Sequence, residues 1–250
     1  MSRKKSISLN PNLIVIGLFV LIIGANYVLQ EIEIGGLVME PQSVDFSKAV
    51  LYLPAVDDQG NGVLATLVVE AESGDGKELI NIDKLVFWED TQQSIKIAKK
   101  VACEYTGIEE DSIDVTYSIT SEGATVVGGP SAGAALAVAT IAVLEGREID
   151  SSIIITGTIL EDGSIGRVGG IPEKALAAQE NHASLFLIPI GDATSTTIEP
   201  DRKCIEHPHI TYCETVYRTV DVSVVDGLEM PVKEVSNVQE ALEYFWIGEA

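Results

Sequence analysis

The stretch that most constrains this chain is residues 128–146, GGPSAGAALAVATIAVLEG, where a glycine-rich turn meets a run of small apolar residues. The run predicts a helix from about Ser131 to Leu144 that packs closely against its neighbours and stops at Gly146. GPSAG at 129–133 sets the Ser131 hydroxyl at the helix start, where free backbone N–H groups favour negative charge. A nucleophilic serine needs such donors for its oxyanion. Ser131 is therefore a candidate nucleophile, and the alternative is a simple helix cap.

A base for Ser131 is available in Lys174, in the first turn of a predicted helix at 171–181 with Pro172 near its start. Lysine accepts a proton only when neutral, so its pKa has to fall below the usual ~10.4. The positive end of the helix dipole and the apolar neighbours both disfavour the ammonium form. The alternative for Lys174 is a solvated surface side chain.

The rest of the pattern predicts an α+β (mixed α/β) domain at 47–250, with mixed sheets and packed helices. A polar segment at 191–214 is interpreted as an irregular surface excursion from it. Asp90 and Ser236 are the expected N-caps of the first and last helices. Periodicity and turn residues place the other elements, with strands at 49–56, 62–72, 79–87, 113–120, 152–160, 184–189 and 217–225 and helices at 91–106, 131–144, 171–181 and 237–245.

Residues 13–29 carry no charge and follow a basic segment at 1–12 with Arg3, Lys4 and Lys5. A helix of this length spans about 26 Å, close to a bilayer core. The positive-inside bias places the N-terminus in the cytoplasm and the domain outside, after a linker at 30–46. We expect a single-pass transmembrane anchor, and a cleaved signal peptide is the alternative.

The charge and cysteine patterns exclude several classes of partner and ligand. A net charge of −22 repels nucleic acid. Cys103, Cys204 and Cys213 form no C-x-x-C pair, so no metal or other cofactor site is predicted. Cys103 falls in a predicted helix and is expected to be buried. Cys204 and Cys213 could form a disulfide outside the cell, or remain free thiols.

From roughly 48 to 190 the chain resembles the proteolytic domain of Lon proteases, including ATP-independent archaeal and bacterial Lon-like peptidases. GPSAG at 129–133, TGTI at 156–159 and DGSIGRVGGIPEKALAA at 162–178 match the family motifs in order. The separation of Ser131 from Lys174 also matches. The resemblance implies that Ser131 is the nucleophile and Lys174 the general base. It also implies that the hydroxyl of Thr156 orients the lysine amine. The supporting residues are Gly129, Pro130, Ala132 and Gly133.

One position departs from the family, since Gly128 stands where many ATP-dependent relatives carry an acidic residue. The P-loop pattern G-x-x-x-x-G-K-[ST] is absent. Around Gly76-Lys77, Ala71 stands where the pattern needs its first glycine and Glu78 where it needs a serine or threonine. We therefore expect ATP-independent hydrolysis of unfolded, flexible or membrane-associated polypeptides. The resemblance also implies a homo-oligomer, commonly a hexameric ring.

Three other functions stay open at the level of sequence. An α/β-hydrolase could combine Ser131 with Asp201 and either His207 or His209. A binding module could cradle a phosphate in GSIGRVGG, ahead of the helix at 171. A catalytically idle, membrane-anchored scaffold of the same fold could keep the site without using it.

Overall fold

A computed structural model describes residues 48–81, 86–87, 89–121, 126–127, 129–207 and 210–248. These residues contain thirteen strands, four α-helices and two short 3₁₀ turns, which confirms the α+β class. No helix of this described part is long and apolar enough to cross a membrane. The predicted segments at 1–12, 13–29 and 30–46 lie outside the described residues.

The first sheet has four strands, two of which form the hairpin that the Asp/Gly/Asn cluster at 57–62 predicts. Its order is β1-β2-β5-β3, with β3 parallel to β5 and the other pairs antiparallel. Asp57 closes the β1–β2 turn, because its carboxylate accepts the backbone N–H groups of Gln59 and Asn61. The strands are β1 (Lys48–Val56), β2 (Gly62–Ser73), β3 (Glu78–Asn81) and β5 (Ile113–Thr120), and a separate parallel pair joins β4 (Val86–Phe87) to β6 (Val126–Val127).

The second sheet is parallel, with the order β13-β10-β7, and its strand β13 was not predicted from the sequence. The strand predicted at 152–160 is broken at Thr156 and Gly157, so that prediction was wrong in its length. Thr156 donates its N–H to Leu187 O, whereas Gly157 donates to Ser131 O. The chain therefore leaves one sheet and enters a small hairpin. These strands are β7 (Ile153–Ile155), β8 (Thr158–Ile159), β9 (Ile165–Gly166), β10 (Leu185–Pro189) and β13 (Val232–Val235).

The first sheet lies between two helices that belong to different cores. Ala65 and Leu67 of β2 face the larger core, which includes the second helix, α2. Leu64, one position along, packs against the smaller core around the third helix, α3. This alternation is what a strand buried on both faces requires. The four helices are α1 (Glu89–Thr106), α2 (Gly133–Glu145), α3 (Ile171–Glu180) and α4 (Val238–Phe245).

Two predicted helix caps were wrong by one or two residues. Helix α1 begins at Glu89, so Asp90 lies inside it. The cap of α4 is Asn237, whose side chain accepts the N–H of Glu240. Ser236 takes the reciprocal part, since its N–H and hydroxyl both donate to the Glu240 carboxylate. The cap of α4 is thus a capping box displaced by one residue from the expected position.

The polar segment at 191–214 is not irregular, which corrects the sequence interpretation. It belongs to a long antiparallel hairpin formed by β11 (Thr194–His207) and β12 (Ile210–Ser223). The strand predicted at 217–225 is the second part of β12. Cys204 and Cys213 lie opposite each other in this hairpin and form a disulfide. Threonine and isoleucine occur in both strands and valine and tyrosine in β12, and these residues favour extended backbone even where they are exposed.

Candidate active site

Ser131 lies in a 3₁₀ turn, Pro130–Ala132, that leads directly into α2. The expected start of the helix was Ser131, but α2 begins at Gly133, and the Ser131 side chain caps neither helix. Gly129 precedes the turn with φ +97°, a conformation that glycine adopts without a steric penalty. The Ser131 hydroxyl is therefore free of a capping role and lines a cavity.

Gly133 is needed for a close approach between α2 and strand β8. A Cβ at this position would lie 2.7 Å from the backbone nitrogen of Ile159. In the same place Ala134 donates its N–H to Gly157 O over 3.0 Å, and Gly157 donates to Ser131 O over 3.0 Å. The two segments therefore hold the turn around Ser131 from both ends, and any side chain at Gly133 would separate them.

Lys174 lies in the first turn of α3 with only 4% of its surface exposed. Burial lowers the pKa of Lys174 to about 8, because the charged form loses its hydration. The carboxylates of Asp192 and Glu173 oppose this shift by stabilising the ammonium. Of the apolar neighbours expected from the sequence, Ile171 and Ala175 are buried, whereas Leu176 is exposed. The pKa of this amine is therefore close enough to neutral pH for Lys174 to gain and lose a proton.

Thr156 links the segments that carry Ser131 and Lys174. The Lys174 ammonium Nζ donates to Thr156 Oγ1 over 3.3 Å, and Thr156 Oγ1 donates to the carbonyl oxygen of Ser131 over 3.3 Å. Thr156 itself is fully buried. Ser131 Oγ and Lys174 Nζ line one cavity without a direct hydrogen bond between them. The three residues singled out in the sequence thus lie together.

The cavity that contains Ser131 and Lys174 has a volume of about 650 Å³. Its walls come from the end of β1, from Gly60 in the following turn, from Thr158 and from the glycine-rich segment 167–170. A cleft of this size is typical of a site for a small ligand or a short stretch of chain. Ser131 and Lys174 therefore both lie at this cleft.

Arg167, which lines the cavity, and Asp192, which pairs with it from outside the lining, were missed in the sequence. Arg167 Nε donates to the Asp192 carboxylate, and Arg167 Nη2 donates to Gly191 O over 3.0 Å. The other carboxylate oxygen of Asp192 accepts the N–H of Val168 over 2.9 Å. One signal could have indicated Asp192, since it follows the carboxyl end of a strand in a parallel sheet, where ligand sites of open α/β sheets are found.

The histidine alternative gains no support from the described residues. His182 lies exposed in the turn after α3 and does not line the cavity. Asp201, the acid of that alternative, pairs with Arg218 on the hairpin over 3.7 Å. The side chain of His207, the whole of His209 and the departing position Gly128 lie outside the described residues. Across the described part of the chain, no group of three or more His, Cys, Asp or Glu side chains could hold a metal ion.

Known proteins resemble the chain over its central part. Lon protease 2 of Syntrophobacter fumaroxidans is 38% identical over 98 residues, which are 39% of this chain and 12% of that protein. Lon protease of Buchnera aphidicola is 35% identical over 133 residues, or 51% of this chain and 17% of that protein. Lon protease homolog 2, peroxisomal, of Eremothecium gossypii is 43% identical over 70 residues, or 28% and 7%. The chain therefore spans less than a fifth of the length of each relative.

The family comparison covers more of the chain than any of these three pairs does. Residues 60–225 match the family described as the Lon protease (S16) C-terminal proteolytic domain. This range includes the turn around Ser131, Thr156, Lys174 and both strands of the β11–β12 hairpin. The chain belongs to the Lon protease (S16) C-terminal proteolytic domain family.

Proposed function

We propose that this protein is a serine endopeptidase that hydrolyses polypeptides with Ser131 as nucleophile and Lys174 as general base. The observation that carries the proposal is the position of Lys174, a buried amine that shares one cavity with Ser131. Thr156 accepts from this amine and donates to the backbone carbonyl of Ser131. With a pKa of about 8, a fraction of the Lys174 side chains is neutral near pH 7 and able to accept a proton. Membership of the Lon family supports the same reaction.

In the proposed reaction, neutral Lys174 takes the hydroxyl proton as Ser131 Oγ attacks the carbonyl carbon of the substrate. The new oxyanion lies near the amino end of α2, where the helix dipole favours negative charge. Lys174 then returns the proton to the leaving amine. Water, deprotonated by the same amine, releases the acyl group from Ser131 and restores the site.

Single substitutions of the two residues test this function. We expect Ser131→Ala and Lys174→Ala each to lower hydrolysis of an unfolded fluorescent protein substrate by at least about a thousandfold, because the reaction loses its nucleophile or its base. Circular dichroism and thermal unfolding would show that both variants fold. Near-wild-type turnover by Lys174→Ala at neutral pH would exclude the lysine mechanism.

Two controls separate the proposal from its alternatives. A serine-reactive fluorophosphonate probe should label the native protein and not Ser131→Ala, whereas an idle scaffold would not be labelled. Replacing His182, His207 and His209 together should leave hydrolysis within about twofold of wild type, because the proposed mechanism uses no histidine. A large loss in that variant would favour the α/β-hydrolase alternative.

The pH dependence provides an independent test of the base. The free enzyme is active when Lys174 is neutral, so kcat/KM should rise with pH and level off above the pKa of about 8. The rise should fit the loss of one proton from a single group, measured with a short peptide over pH 6 to 10. A profile that falls over this range would contradict a lysine base.

We also propose that the reaction does not depend on ATP, because the sequence contains no P-loop pattern. Peptide hydrolysis should be the same with and without ATP and Mg²⁺.

The anchor at 13–29 would hold the domain at a membrane, on the extracytoplasmic side, with polypeptides as its substrates. Digestion of intact cells with an added protease would reveal the side of the membrane. Analytical ultracentrifugation would test for a homo-oligomer such as a hexamer.

A further inference from the structure

The ion pair of Arg167 and Asp192 lies where the cavity wall meets the end of β10. Asp192 is 5% exposed, although it is a charged side chain, and both its carboxylate oxygens are bonded. Its partners, Arg167 and Val168, both line the cavity that contains Ser131 and Lys174. A buried carboxylate with a cation and a backbone N–H as partners is a fixed charge, because moving it would leave both partners unsatisfied.

The same carboxylate acts on Lys174 from a different element. Two carboxylates stabilise the charged form of Lys174 by electrostatic attraction, Asp192 from the segment after β10 and Glu173 from the helix of the lysine itself. Arg167, whose side chain is largely exposed, partly offsets the charge of Asp192. The protonation of Lys174 therefore depends on the charge of the ion pair, in addition to its own burial.

We propose that Asp192 is a positioning residue for the Ser131–Lys174 site, which fixes the wall at 167–170 through Arg167 and Val168 and sets the charge balance around Lys174. This inference rests on the proposed function. Asp192 does not touch the reacting atoms, and its effect passes through the cavity wall and through Lys174. A purely structural carboxylate would hold the wall without influencing the proton exchange of the lysine.

Opposite changes to the two partners test the inference. Asp192→Asn keeps the shape but removes the negative charge that stabilises the ammonium. The rise of kcat/KM should therefore move to lower pH, by about half a unit or more. Arg167→Gln leaves the charge of Asp192 without its cation, so the rise should move to higher pH. Profiles measured with an uncharged peptide substrate would keep substrate titration out of the comparison.

Asp114→Asn is the matched control. Asp114 is also a poorly exposed carboxylate that accepts backbone N–H groups, from Asp75 and Lys77, and pairs with the Lys77 ammonium. It lies in β5, beside the turn that precedes β3, and does not line the cavity. Its loss should lower the unfolding temperature as much as Asp192→Asn does, while the pH profile stays at its wild-type position.

The outcomes distinguish this inference from the proposed function. If Ser131→Ala and Lys174→Ala are inactive but Asp192→Asn and Arg167→Gln keep the wild-type midpoint, the role of Asp192 is overturned and the catalytic assignment stands. A shift of both variants in the same direction also overturns it. If Lys174→Ala keeps its activity, the function itself fails first. Thermal unfolding of each variant confirms that the profiles come from folded protein.

Discussion

Helix α2 and the hairpin β11–β12 use apolar side chains in opposite ways. Twelve residues of α2 are buried, so the helix has no exposed face except at its end. Among the hairpin residues whose side chains the structure describes, none belongs to either core, and Ile198 and Tyr217 are 66% and 70% exposed. The hairpin is held by its own ladder and by the Cys204–Cys213 disulfide. Stability and the candidate site therefore depend on α2, while the hairpin is a locally stabilised attachment.

The largest expected difference between the two regions is in the cost of removing a side chain. Leu136→Ala should lower the free energy of unfolding by about 3 kcal/mol, because it leaves a cavity between α2 and its neighbours. Ile198→Ala should change it by less than about 0.5 kcal/mol, since that side chain is already in water. Urea unfolding of both variants measures the contrast. Equal effects would show that the hairpin packs against something in solution.

A smaller effect is expected from adding a methyl group at the start of α2. Gly133→Ala should cost about 1 to 3 kcal/mol and lower hydrolysis, because the new Cβ forces α2 away from Ile159 and shifts the Ser131 turn. Gly169→Ala is the matched control for stability, since a Cβ there meets nothing within 4 Å. Thermal unfolding and peptide hydrolysis measure the two effects. An unchanged Gly133→Ala variant would mean that the contact between α2 and β8 is adaptable.

The smallest global effect should follow loss of the disulfide. The double variant Cys204→Ser and Cys213→Ser should unfold at nearly the wild-type temperature, because the constraint acts within a hairpin that shares no core with α2. Local opening should increase, seen as faster amide exchange of residues 201–216. A large fall in the unfolding temperature would show that the hairpin and the core unfold as one unit.

Sequence reasoning worked best where one physical signal determined the structure. The run of small, mostly apolar residues at 131–144 predicted a helix that packs closely against its neighbours, and the turn cluster after β1 predicted a hairpin; both are confirmed. The positions of Ser131, Thr156 and Lys174 came from motif order, and the fold brings them together. Their catalytic roles stay a prediction.

The failures share a different cause, because they depend on contacts that no local pattern encodes. The strand at 152–160 is broken because Gly157 donates its N–H to the carbonyl oxygen of Ser131, which is far away in the sequence. The segment at 191–214 contains charges that suggest a loop, yet its two strands pair with each other along their whole length. Arg167 and Asp192 are ordinary surface residue types, and only the end of β10 places one of them in the interior.

The hydroxyl of Thr156 has one hydrogen, and this gives the Thr156 bridge a direction. That hydrogen is directed at the Ser131 carbonyl, so towards Lys174 the threonine oxygen can only accept. A neutral amine that donates to Thr156 uses an N–H for it and keeps its single lone pair pointing elsewhere. The bridge thus acts as a one-way orienting device, leaving the basic electron pair of the lysine free for a proton from the cavity. Thr156→Ser preserves this polarity, whereas Thr156→Val removes it.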